Sequence, residues 1–342
     1  MLATRLAPIA SLLFLSGAAL SSAHGSAPMP YIYGGEDAQP GDWPWVALIT
    51  SVDPADSGSG PTVSAFSCSG VLIDDDHVLT AAHCFFNEDN EQVTEVHIAY
   101  NRVTRPGSLS TYNTTAQTIY IHEQYNEFSR SDFRNDIAIV RLADPANLAS
   151  YPQLAGHDDI DTLEALVGDA RRNSTTALGW GDTGDTQGIT PGTLQQVMLD
   201  YVRSSDCRQD WGTVFTFDMM ICADGTNPAR DTCGGDSGGP LLTGDPDDPV
   251  IVGLTSFGSA VACGQPGNPG VYTNVAYYAQ TTSWIDDVRN GLITPRPPRS
   301  GPPQTPRVGS SGGGGAAGLG LLWLLPLLAA RRQSRRASRS AR

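Results

Sequence analysis

Three short stretches hold residues whose types can do chemistry together. CGGDSGGP centres on Ser237, set among glycines, with Asp236 beside it and Asp231 six residues before it. LTAAHCF carries His83, and RNDIAIVRL carries Asp136. A serine hydroxyl is a poor nucleophile at neutral pH and needs a neighbouring base to take its proton. Imidazole titrates in the right range, and a carboxylate behind it fixes its tautomer and stabilises the imidazolium. Glycines at 234 and 235 let the backbone turn N–H groups toward a developing oxyanion. Any one of these residues alone reads as structural. Together His83, Asp136 and Ser237 supply a base, an orienter and a nucleophile. Asp231 and Asp236 stand outside that set, because a negative charge beside a nucleophile opposes alkoxide formation. Each therefore needs another partner.

The elements that must position these residues are mostly strands. Short alternating or apolar runs recur between Ile32 and Gly291, among them WVALIT, GVLI, HVLTAA, EVHIAY, QTIYIH, DIAIVRL, QQVMLDYV and PVIVGLTSFG. Gly, Pro, Asn and Asp clusters separate them. This pattern predicts an all-β sandwich or pair of barrels, and the length suits two barrels side by side. One segment differs. YYAQTTSWIDDVRNG places Tyr278, Thr281, Ile285 and Val288 at helical spacing and stops at Gly291, which predicts a closing helix. No internal repeat is visible by eye, and there is no CxxC pair, no HExxH and no phosphate-binding glycine loop. The sequence thus supports neither a metal nor a cofactor.

The formal charge of the 342 residues is −15, and it is unevenly spread. All 36 acidic residues and 11 arginines lie between Glu36 and Arg289, a net of −25, and the chain has no lysine. A span this acidic excludes nucleic acid as a polyanion ligand and reads as a solubility device. Both ends resemble address labels. Arg5, the apolar run Leu6–Leu20 and the small residues Ser21-Ser22-Ala23 predict a signal peptide over 1–23. Export makes disulfides among the six cysteines plausible. From Thr294 to Gly315 the chain is a Pro- and Gly-rich linker. Ala316–Ala330 is apolar, and six arginines follow in the last twelve residues. Fifteen residues is short for about 30 Å of hydrocarbon. This tail resembles the glycine-glycine C-terminal sorting signals of Gram-negative exported enzymes, which implies removal by a sorting protease at the cell surface. The other reading is a retained transmembrane anchor.

The three reactive stretches resemble the chymotrypsin/trypsin family of serine proteases. IYGGEDAQPGDWPW resembles the mature N-terminus of those enzymes, SCSGVLI and TAAHC their histidine segment, and NDIAIVRL their aspartate segment. ALGWG resembles the start of the second barrel, and TSFG and NPGVYTNV the pocket walls. The order and spacing of all of them make the resemblance specific over residues 32–293. It implies an all-β fold of two six-stranded antiparallel β-barrels with a C-terminal helix. It also implies an endopeptidase acting on protein or peptide substrates, with His83, Asp136 and Ser237 catalytic and the N–H groups of Gly235 and Ser237 as the oxyanion hole.

The resemblance gives the two aspartates their partners. Asp231 falls at the bottom of the primary specificity pocket, which implies cleavage after Arg or Lys. Gly258 and Gly270 leave room for that side chain, and Ser256-Phe257-Gly258 pairs with substrate backbone. Phe257 replaces the usual tryptophan, and Ser259–Ala262 is two residues longer than the trypsin pattern. Asp236 pairs with the α-ammonium group freed when the propeptide 24–31 is cut before Ile32, so the chain is expected to be a zymogen. HGSAPMPY holds no Arg or Lys, so a different activating protease is expected. The implied disulfides are Cys68–Cys84, Cys207–Cys222 and Cys233–Cys263, each worth roughly 3 kcal/mol in the chain-entropy model. The loop that holds calcium in some relatives reads AYNRVTRPG here, without the expected acids. The alternative from another class is a catalytically silent surface binding protein, which loss of any one of His83, Asp136 or Ser237 would favour.

Overall fold

A computed structural model describes residues 32–52, 65–87, 89–93, 95–129, 132–168, 174–181, 192–226, 229–259, 263–264 and 267–297. The signal peptide, the propeptide and the apolar tail expected from the sequence lie outside the described residues. Among those described, no helix is long and apolar enough to cross a membrane.

Twelve strands close into two antiparallel barrels. The first uses β1 (Val46–Val52), β2 (Ala65–Leu72), β3 (His77–Thr80), β4 (Glu95–Ala99), β5 (Thr114–Ile121) and β6 (Ala138–Leu142), joined in the closed order β1-β2-β3-β6-β5-β4. The second uses β7 (Ser174–Gly179), β8 (Gln195–Val202), β9 (Met220–Thr226), β10 (Pro240–Asp245), β11 (Asp248–Phe257) and β12 (Gly270–Asn274). Their pairings run β7-β8-β9-β12-β11-β10 and back to β7. This is the strand order of the first barrel repeated, a duplication that the sequence does not reveal. Closure leaves no long unpaired edge on these strands. The residues suit the role. All of β1 is buried, and β8 alternates buried and more exposed positions along QQVMLDYV.

The C-terminal helix is present, but not as one piece. Tyr277–Thr281 forms a single π-helical turn, and Trp284–Arg289 a short α-helix. Between them Ser283 takes a left-handed conformation, φ 57°. The helical spacing survives in Tyr278, Ile285 and Val288, which are buried. Together with Trp284 they join the hydrophobic cluster of the first barrel that contains Tyr120 and Ile121. Two helices escaped the sequence reading, His157–Ala165 and Ser204–Trp211. Each buries a single hydrophobic side chain, Leu163 in the first and Cys207 in the second, so neither carries an apolar periodicity.

The chain stays fastened to the first barrel beyond its last helix. Arg296 donates to the Glu127 carboxylate and to the Tyr125 carbonyl, each at 3.0 Å, and its guanidinium sits 5.6 Å from the centre of the Phe86 ring. The Glu127 side chain is almost wholly enclosed, at 1% exposure. Removing one partner of a buried ion pair typically costs about 3–5 kcal/mol. Arg296→Ala is therefore expected to lower the unfolding free energy by about that amount, read as a lower urea midpoint at unchanged slope. The measurement belongs in a Ser237→Ala background to prevent self-digestion, and a chain ending at Ile293 is expected to lose as much.

Candidate active site

His83 lies on a 3-10 turn, Ala82–Phe85, that directly follows β3. Cys84 in the same turn is joined to Cys68 in β2, with a Cα–Cα distance of 6.1 Å. These two sulfurs lie near the imidazole, but a disulfide leaves neither as a thiolate ligand. Asp136 precedes β6 and has no exposed surface. Its Oδ1 accepts the His83 backbone N–H at 2.9 Å, and its Oδ2 lies 2.8 Å from His83 Nδ1. Since the carboxylate accepts, Nδ1 carries the hydrogen and Nε2 is left as the acceptor. Ser256 in β11 donates its hydroxyl to Asp136 Oδ2 at 2.6 Å, and Thr273 in β12 donates to the Asp136 carbonyl at 2.8 Å. Burial opposes charge on His83. The Coulombic attraction of Asp136 and their hydrogen bond outweigh it and hold the imidazole pKa above its ordinary 6.5. Burial likewise opposes the Asp136 carboxylate, but His83, Ser256 and the His83 backbone together keep its pKa below the ordinary value.

Ser237 stands in the turn before β10. A glycine neighbour brings it to the His83 segment. Gly238 has φ +76°, and a Cβ there would sit 2.0 Å from Thr80 Oγ1 and 2.9 Å from the Ala81 nitrogen. Only glycine lets this turn press so close to the strand that leads into His83. The contact is completed by the Ser69 N–H, which donates to the Ser237 carbonyl at 2.8 Å. Gly235 has φ +94°. Among the described residues, the N–H groups of Gly235 and Ser237 are donated to no acceptor. Two unspent donors beside a serine can meet a developing oxyanion.

A pocket of about 140 Å³ opens beside Ser237, lined among others by Asp231, Thr232, Ser256, Phe257 and Gly258. Asp231 is buried. Its Oδ2 accepts the Gly264 N–H at 3.0 Å, while its Oδ1 has no hydrogen-bond partner among the described residues. Burial pushes its pKa up to about 6 despite the Gly264 and Thr232 N–H groups. Gly270 abuts the free oxygen, and at Gly258 a side chain would project into open space. Phe257 stacks on Phe133 at 4.2 Å and meets the edge of Trp211 at 5.1 Å. Nothing in the sequence marked Phe133 or Trp211, which approach this wall from a distant loop and from the end of the helix Ser204–Trp211.

Asp236 points the other way, into the protein. It has no exposed surface. Its Oδ1 accepts the Gly181 N–H at 2.7 Å and its Oδ2 the Cys233 N–H at 2.8 Å. A Cβ at Gly179 or Gly181 would come within 2.2–2.5 Å of this carboxylate, so ALGWG carries glycines where Asp236 lies against it. Burial raises its pKa to about 7. Ile32 is also fully buried, in a cluster with Ala177, Val197 and Leu241, and the Tyr33 carbonyl accepts the Asp231 N–H at 3.0 Å. Cys207–Cys222 and Cys233–Cys263 are bonded as the resemblance implied.

The family model described as Trypsin matches residues 32–285, which include all of this machinery. The chain belongs to the trypsin family. Mouse chymotrypsin-C is 34% identical over 259 residues, covering 75% of this chain and 88% of its own length. Rat glandular kallikrein-10 is 31% identical, covering 75% and 89% respectively. Trypsin-1 of Astacus astacus is 29% identical, with 74% and 98% covered. The solved structure of neuropsin, a serine protease expressed in the limbic system of mouse brain, superposes with a TM-score of 0.57. It is 28% identical and covers 75% of this chain and 100% of its own.

The sequence reading gave Ser256 a role toward substrate backbone; its hydroxyl in addition holds Asp136. Ser69 and Thr273 were missed, because only the folded chain brings them to the site. An imidazole with a raised pKa gains its proton earlier as the pH falls, and a protonated ring no longer accepts from serine. The acid limb of kcat/KM is therefore expected to have its midpoint above 6.5 in a pH-rate profile.

Proposed function

We propose that the chain is an exported serine endopeptidase that cleaves after arginine or lysine and stays inactive until it is cut before Ile32. Ser237 Oγ attacks the scissile carbonyl carbon while its proton passes to His83 Nε2. The N–H groups of Gly235 and Ser237 meet the oxyanion, and Asp136 holds the imidazolium. His83 then gives the proton to the leaving amine, and water releases the acyl group by the same route. Ser256, Phe257 and Gly258 pair with substrate backbone as an added strand.

The relatives include both a trypsin and a chymotrypsin-C. The observation that carries the specificity is therefore Asp231, a buried carboxylate with one oxygen unpartnered in the wall of the pocket beside Ser237. A guanidinium or ammonium entering that pocket would supply the missing partner. Asp231→Ser is expected to lower kcat/KM for Arg substrates by roughly 10²–10⁴, because the substrate cation loses its counter-charge. A wild-type enzyme that prefers aromatic residues in a competition assay would overturn the assignment. Failure of Ser237 to take a phosphonate label would instead favour a silent binding protein.

The zymogen reading is supported by the burial of both Ile32 and Asp236. No ion pair of Asp236 occurs among the described residues, and a new α-ammonium group on Ile32 would offset the burial of its charge. Tyr31 precedes Ile32, and an Asp231 pocket does not suit it. Purified precursor incubated alone is expected to keep its N-terminus, while Tyr31→Arg is expected to self-activate. N-terminal sequencing over time reads both; release of Ile32 from the natural precursor, abolished by Ser237→Ala, would sink the idea.

A further inference from the structure

Two polar residues of the first barrel reach the segment that holds Asp236, and the mechanism above uses neither. Arg105 lies in the loop between β4 and β5. One guanidinium nitrogen donates to the Trp180 carbonyl at 2.6 Å and another to Ser67 Oγ at 3.1 Å. The same peptide unit that accepts from Arg105 donates its N–H, that of Gly181, to Asp236 Oδ1 at 2.7 Å. A cation at one end of a peptide and a carboxylate at the other polarise it in the same sense. The Arg105 loop is itself fixed. The Arg105 N–H donates to the Gly192 carbonyl, and the Leu194 N–H to the Val103 carbonyl, both at 2.7 Å. Behind it Thr50 Oγ1 lies 3.4 Å from Ser67 Oγ and 2.7 Å from the Tyr112 hydroxyl.

Ser69, two residues beyond Ser67 on β2, grips the neighbouring atoms. Its hydroxyl accepts the Trp180 N–H at 3.0 Å and donates to the Gly235 carbonyl at 3.3 Å. One hydroxyl can do both. Trp180 is thus held at its N–H by Ser69 and at its carbonyl by Arg105, while the next N–H holds Asp236. Gly235 and Gly238 both have positive φ, and glycine has little conformational preference of its own. The shape of this stretch is therefore imposed by what surrounds it.

We propose that Arg105 and Ser69 are positioning residues for the oxyanion hole, acting as a clamp from the first barrel that fixes Gly235 and Asp236 through the Trp180–Gly181 peptide. This rests on the proposed role of the Gly235 and Ser237 N–H groups. The two members act differently. Ser69 contributes hydrogen bonds alone, whereas Arg105 also contributes charge. The charged groups acting on Asp236 are Arg105, which favours its carboxylate, and Asp231, which opposes it; the mature chain adds the Ile32 ammonium.

The test compares activated wild-type enzyme with Arg105→Met, Arg105→Lys and Ser69→Ala, using an Arg peptide substrate and a phosphonate that labels Ser237. Loss of one oxyanion donor costs about 10²–10³ in kcat, and a displaced donor costs less. Both Arg105→Met and Ser69→Ala are expected to lower kcat by about tenfold or more with KM within about threefold of wild type, and Arg105→Lys to recover part of the loss. Removing a cation raises the Asp236 pKa, so activity is expected to fall at a higher pH on the acid side in Arg105→Met and at an unchanged pH in Ser69→Ala. A kcat within twofold of wild type in both variants, or a raised KM at unchanged kcat, would overturn the proposal. If Arg105→Met does not fold, Ser69→Ala and Arg105→Lys decide it. An unlabelled, inactive wild type would refute the proposed function itself, a result distinct from active wild type with indifferent variants.

Discussion

A carboxylate with no exposed surface costs several kcal/mol to bury, and it stays charged only when its oxygens are fully used. Asp136 is such a group, and its donors come from both barrels. His83 supplies two to the carboxylate from the first barrel, Ser256 of β11 supplies a third from the second, and Thr273 of β12 donates to the Asp136 main-chain carbonyl. Neither barrel alone satisfies this residue. The seam between them is therefore fixed by a polar requirement as well as by apolar area. The apolar cluster follows the same line, since it runs from Leu48 and Ile139 in the first barrel to Leu242 and Leu254 in the second.

The other two buried aspartates of this region are less fully provided for. Asp231 keeps one oxygen unpartnered in a pocket, and Asp236 accepts only backbone N–H groups from Gly181 and Cys233. Burial raises the pKa of both. Groups perturbed by desolvation and lacking a counter-charge are characteristic of functional sites. Three aspartates of one chain thus divide by their surroundings. One is satisfied within the fold, one lines a cavity beside Ser237, and one faces inward and is held by backbone N–H groups.

The equal strand order of the two barrels explains how such a seam is made. Each barrel closes through the same six pairings, yet loops of different length and composition meet at the junction. The first barrel contributes the His83 turn, the Asp136 turn and the Arg105 loop. The second contributes the Ser237 turn and the pocket walls. The two small helices and the divided C-terminal helix cover the outside, and Trp284, Ile285 and Val288 bind the end of the chain back onto the first barrel.

The sequence by itself determined the local features. Alternation marked the strands, the GGDSGGP run marked a glycine-dependent turn, and the order of TAAHC, NDIAIVRL and GDSGGP marked His83, Asp136 and Ser237 as the candidate reactive set. These are short-range signals, each complete within a few residues. The break at Ser283 escaped because helical spacing is preserved across it, and the helices at His157 and Ser204 escaped because they bury almost nothing apolar. Tertiary structure alone decided the partners. Arg105 meets Trp180 across 75 positions, Ser69 meets Gly235 across 166, and Arg296 meets Glu127 across 169. A hydrogen bond has a reach of about 3 Å and records nothing in the spacing of residues so far apart. Which donor finds which acceptor is settled only when closure of both barrels brings the segments together.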